Sequence, residues 1–138
     1  MIRNNTADVF QPASRMEWLP MFPGITFKPL RVSDETGVWT VVFRCQKGSG
    51  FAPHYHLGPG EYYMISGRMS YRVGEAVAGD YGFEPVGALH EHTDFLEDTD
   101  LLFTAFGPVA FIDDNKQIIL LMDHVYIREL AKQGGVVI

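Results

Sequence analysis

Strand-like runs dominate the chain, and the clearest of them alternates apolar and polar positions with a period of two, the spacing of a strand with one face on a core. Ile25 to Val32 alternates in this way, and Val38 to Cys45 is rich in β-branched and aromatic residues. Two short runs, Tyr62 to Ser66 and Met69 to Val73, are split by Gly67-Arg68; Leu101 to Phe106 and Val109 to Ile112 flank Gly107-Pro108. Ile118 to Met122 is continuously apolar, which predicts a buried strand. Turn-forming clusters separate the runs: Ser33 to Gly37, Gly48-Ser49-Gly50, Gly58-Pro59-Gly60 and Asp113 to Lys116. Many short strands at close spacing predict an all-β sandwich or barrel.

Only the end of the chain changes period. Asp123 can cap a helix, Ile127, Leu130 and Ala131 form an apolar stripe, and Gly134 can end it. The first twenty-odd residues, with Pro12, Pro20 and Pro23, read as irregular. Without a linker, repeat or low-complexity segment, the expectation is one domain over residues 1–138.

Composition narrows the chemistry. A formal charge of -6 without a Lys/Arg cluster is unsuited to nucleic acid, whose phosphates need concentrated positive charge. No apolar run approaches a membrane span, and the stretch from Met1 to Arg15 does not read as a leader. Cys45 is the only cysteine, so an internal disulfide and a thiolate metal cage are excluded. It reads as a buried strand residue, and the expected compartment is the cytoplasm. No glycine cluster has the ending of a phosphate loop.

The histidines carry the remaining signal. His54 and His56 are two apart, so on a strand their imidazoles face one side. An H-x-H pair alone is common, but here it has neighbours. Gly48 stands six positions before His54 and Gly67 eleven after His56; Gly79, Pro85, Gly87 and His90 follow at fixed spacing. These two blocks resemble the two motifs of the cupin superfamily, G-x5-H-x-H-x3,4-E-x6-G and G-x5-P-x-G-x2-H-x3-N. The resemblance implies a double-stranded β-helix, or jelly-roll barrel, with a short C-terminal helix and a metal in its mouth. The superfamily carboxylate would fall at Gly60, and Glu61 stands one position late. In an extended strand that shift turns a side chain to the opposite face. Glu61 is a ligand only if a bulge or the glycine-rich loop restores the phase; otherwise it is a loop carboxylate. The final Asn of the motif is replaced by Asp94. His92 is an alternative third ligand or pocket base if the strand continues past His90, while motif spacing favours His90. His124 reads as an exposed or capping residue.

A closer likeness spans roughly Pro23 to Leu121. The stretches HYHLGPGEYYMISGRMSYR and GDYGFEPVGALHEH resemble the cupin branch of β-diketone-cleaving (acetylacetone-type) and 2,4'-dihydroxyacetophenone dioxygenases. That resemblance implies Fe(II) held by His54, His56 and His90 without a carboxylate, with Zn, Mn or Ni as alternatives. It also implies a polar outer shell of Glu84, Arg72 and Tyr62. Phe51, Tyr63, Phe83 and Phe103 are candidates for an apolar pocket. The expected partners are a small-molecule substrate, dioxygen and a second copy in a homodimer. The expected function is dioxygenation that cleaves a carbon–carbon bond in a small β-diketone or hydroxyketone. The alternatives are a non-catalytic metal- or ligand-sensing cupin and a metal-dependent isomerase.

Overall fold

The computed structural model describes residues 8–138; the stretch read above as lacking a leader falls in part, at 1–7, outside them. The described chain is built of antiparallel strands and one terminal α-helix, as the period-two pattern predicts. In order these are β1 (Leu19–Phe22), β2 (Ile25–Val32), β3 (Trp39–Cys45), β4 (Gly50–Phe51), β5 (His54–His56), β6 (Gly60–Ser66) and β7 (Arg68–Tyr71). Then come β8 (Gly74–Val77), β9 (Tyr81–Glu84), β10 (Leu89–His90), β11 (Thr93–Phe95), β12 (Thr99–Ala105), β13 (Val109–Ile112), β14 (Ile118–Met122) and α1 (His124–Gln133).

The largest sheet has the order β1-β2-β3-β12-β6-β9. Its inward residues follow the sequence alternation: Ile25 and Phe27 from β2, Trp39, Val41, Phe43 and Cys45 from β3, Leu101 and Phe103 from β12, Tyr62 and Met64 from β6. A second sheet, β10-β5-β13-β14, faces it, and a third, β4-β11-β7-β8, lies alongside. Aromatic edges join the layers: Phe22 meets Phe111 at 5.5 Å and Phe43 meets Phe51 at 5.2 Å between ring centroids. Such contacts add about 0.5–1.5 kcal/mol each to area burial. Ile127 and Ala131 tie the helix to the same core.

Two prolines sit inside strands without breaking the sheet. Pro20 lies on the edge strand β1, and the β2–β3 ladder shifts register between Pro29 and Arg31. A bulge and an edge are the places where a missing N–H is tolerated. The irregular N-terminal stretch expected from the prolines therefore contains an ordered strand. Gly67 makes the turn into β7 at φ +87, and a Cβ there would lie 2.3 Å from the Asp98 carbonyl oxygen. Only glycine fits that turn. Asp123 caps α1 by accepting from the Tyr126 N–H, and Gly134 ends it, both as expected.

One expectation is overturned. Ile118 to Met122 is a strand, but only Met122 is buried: Ile118, Ile119 and Leu121 are 57%, 65% and 42% exposed. The interior place in that sheet belongs to β13, all four of whose residues are buried, and β14 forms the free edge. No helix among the described residues is long and apolar enough to cross a membrane.

Candidate metal centre

Strand β5 is the base of the site. His54 and His56 project from its inner face, and β10 places His90 directly across from His54. On the other side β13 places Phe111 opposite His54 and Val109 opposite His56. The turn before His90 is pinned to β5 by two backbone bonds: the His56 N–H donates to Ala88 O at 3.0 Å, and the Gly87 N–H donates to His56 O at 2.7 Å. The second motif thus acts as a clamp that brings a distant histidine to the first pair.

The three imidazoles are buried, with 6%, 2% and 2% exposure for His54, His56 and His90. Their ring centroids lie 4.8–5.2 Å apart, and one nitrogen from each falls within 4.8 Å of the others. His54 Nδ1 is 2.7 Å from the Ala52 carbonyl oxygen, which can only accept. That nitrogen carries the proton, and Nε2 keeps its lone pair for the cluster. Burial pushes the His54 pKa down to about 4, against a smaller opposing pull from the Ala52 carbonyl. His90 is lowered too, by burial first, with Glu84 opposing and Arg72 adding to the lowering. Both rings are therefore neutral near pH 7, the form that binds a metal.

Glu84 enters from the opposite sheet. It sits at the end of β9, is buried, and brings Oε2 to 2.7 Å from His56 Nε2 and Oε1 to 3.9 Å from His90 Nδ1. Burial works to raise the Glu84 pKa, but the close His56 ring, with His90 and His54 beyond it, outweighs it and holds the carboxyl below its usual range. The carboxylate approaches His56 off the line of a ring N–H, so neither nitrogen of His56 has an aligned hydrogen-bond partner. Buried polar atoms without partners are rare and mark a ligand-accepting position. A divalent metal would fit this donor set, taking one lone pair from each imidazole and leaving Glu84 in the surrounding shell.

The remaining expected residues divide. Tyr62 is buried, and its hydroxyl is 2.7 Å from that of Tyr71. Arg72 is exposed in the turn after β7 and reaches the site through its charge. Glu61 stays out of the histidine cluster: no bulge restores its phase, and its Oε2 accepts from Tyr81 Oη at 2.7 Å on the outer side of the sheet. His92 also stays out. The strand breaks after His90, so the parity that would align the two is lost; His92 is exposed and pairs with Asp94 at 2.9 Å. Phe51 and Phe103 line a cavity against His54, His56 and Glu84. Tyr63 and Phe83 do not: they are 49% and 55% exposed, on the outer face. Trp39, Phe43, Val109, Phe111 and Met122 complete the apolar wall. Nothing local in the sequence separates these five from ordinary core, because only strand register aims them at the site. Cys45 is a buried free thiol, as expected.

Residues 6–110 match the family described as the ChrR cupin-like domain. The acetylacetone-cleaving enzyme of Acinetobacter johnsonii is 42% identical over 129 residues, covering 85% of this chain and 84% of that one. The crystal structure of an acetylacetone dioxygenase from Acinetobacter johnsonii superimposes with a TM-score of 0.89 at 36% identity, covering 95% of each chain. An RmlC-like cupin from Ralstonia eutropha superimposes with a TM-score of 0.80 at 19% identity, over 96% of this chain and 90% of that one. The last likeness concerns the fold alone.

Proposed function

The chain belongs to the ChrR cupin-like family, and on that premise we propose that it is an Fe(II)-dependent dioxygenase cleaving a carbon–carbon bond in a small β-diketone or hydroxyketone. The observation that carries the proposal is the buried cluster of three histidines with no carboxylate among its ligand atoms. Three neutral imidazoles leave a divalent metal its full double charge, which favours an anionic chelate such as an enolate. A metal held by three histidines alone would have room for such a chelate and for dioxygen. When bound, the metal supplies Lewis acidity and a template. The similarity to an acetylacetone-cleaving enzyme supports the same reading.

The chain's own residues have these roles. His54, His56 and His90 hold the metal. Glu84, ionised and beside His56, takes up the proton that a β-diketone loses on becoming an enolate. Tyr62 presents a hydroxyl toward the substrate, and Arg72 draws an anionic substrate to the mouth. Phe51, Phe103 and Phe111 keep water from the reacting carbons. The proposed setting is a cytoplasmic homodimer, paired through the apolar free edge β14.

Anaerobic reconstitution with Fe(II), followed by oxygen uptake with a panel of β-diketones and aryl hydroxyketones, tests the proposal. Substrate-dependent uptake is the expected result. A protein that holds stoichiometric iron and consumes no oxygen with any chelating substrate overturns it. The second reading is a non-catalytic metal- or ligand-sensing module, which the same buried three-histidine cluster could also serve. Tight zinc retention with no uptake in the iron form supports that alternative.

A further inference from the structure

Tyr62 occupies a slot left open by the missing side chain of Gly82. On the neighbouring strand it stands opposite Gly82, where a Cβ would lie 2.3 Å from Tyr62 Cε1 and 2.6 Å from its hydroxyl. Any side chain at that position displaces the phenol. On the far side of the slot stands Tyr71, from the end of β7. The two hydroxyls are 2.7 Å apart, and the rings meet edge to face at 5.9 Å. The Tyr71 ring also lies 5.4 Å from the ring of His90. Both tyrosines are buried. A buried hydroxyl without a partner costs about 1–3 kcal/mol, so each phenol depends on the other. Each phenol has one proton to donate. One is consumed between the pair, and the other is not committed by that bond.

We propose that Tyr71 is a positioning residue of the metal centre, whose hydroxyl holds the Tyr62 phenol in the slot left by Gly82 and whose ring sets the orientation of His90. The hydroxyl acts through Tyr62, and the ring acts through a metal ligand. These two functions are separable by substitution: Tyr71→Phe removes the first and keeps the second, whereas Tyr71→Leu removes both. The proposal rests on the reading of His90 as a ligand and of Tyr62 as a substrate-facing group. Part of its test therefore needs neither substrate nor metal.

In metal-free protein labelled with 13Cζ-tyrosine, Tyr71→Phe should move the Tyr62 resonance, because its hydroxyl loses its partner. In the cobalt-substituted protein, the visible spectrum should be unchanged by Tyr71→Phe and altered by Tyr71→Leu. With a diketone that supports turnover, Tyr71→Phe should lower kcat about tenfold and change KM much less. In a Tyr62→Phe background the same substitution should cost nothing further. An unmoved Tyr62 resonance overturns the hydroxyl role, as do losses that multiply in the double variant. A cobalt spectrum insensitive to Tyr71→Leu overturns the ring role. If no substrate turns over in any form, the functional reading fails, while the resonance and the cobalt spectrum still decide this one.

Discussion

His56 and Glu84 meet from opposite sheets, with Nε2 and Oε2 2.7 Å apart. One comes from β5, the other from the end of β9, so closing the fold is what brings the carboxylate to the imidazoles. Glu84 supplies the buried negative charge beside the cluster. Glu84→Gln keeps the shape and removes that charge. The expected result is normal metal content with kcat lowered on the order of 10²-fold. Metal analysis alongside oxygen uptake measures both, and unchanged kcat removes Glu84 from the reaction.

His90 and His92 offer a direct contrast. His90 is buried against His54 and His56, and His92 is exposed beside Asp94. His90→Ala should abolish stoichiometric metal binding, and His92→Ala should leave it intact. Metal content of protein purified without metal-loaded resin gives the answer. Full occupancy in His90→Ala sinks the ligand assignment.

The buried imidazoles also set a pH dependence in the metal-free protein. His54 is neutral in the fold down to about pH 4, whereas in the unfolded chain it takes up a proton near 6.5. Between those values the unfolded state binds more protons, so acidification favours unfolding. His54 alone accounts for a loss of roughly 3 kcal/mol as pH falls from about 7 to 4, with no gain on going above 7. Glu84, whose carboxyl is held low, adds a further loss at the acid end as it is forced to protonate. Urea midpoints at pH 7, 5.5 and 4 measure the effect; a flat series contradicts it.

The three-histidine cluster was legible because its spacing is local. His54 and His56 share a face by strand parity, and Gly67 and the Pro85–Gly87 turn fix how the chain re-enters. Parity also gave the outward direction of Glu61, and applied equally to Tyr63 and Phe83 it places them outside with Glu61. The pocket assignment of those two aromatics followed residue type and ignored their phase. The burial of β14 was not legible, because five apolar residues look the same at the edge of a sheet as in its middle. The break after His90 was hidden for a related reason: the tight bend between β10 and β11 carries no glycine or proline to announce it.

The edge position of β14 leads to an association test. Ile119 is 65% exposed on a strand with no charged residue. Ile119→Lys should shift a homodimer toward monomer in sedimentation, with little change in the stability of the monomer itself. A wild-type protein that is monomeric at tens of micromolar contradicts pairing through this edge.

Cys45 lies on β3 with no exposed surface, and burial pushes its thiol pKa far above the usual range. It therefore carries almost no thiolate in the native state, and thiolate is the reactive form. The single sulfhydryl of the chain becomes a built-in clock for unfolding. Its rate of labelling by a thiol reagent counts the openings of the central sheet, one molecule at a time, without any engineered probe.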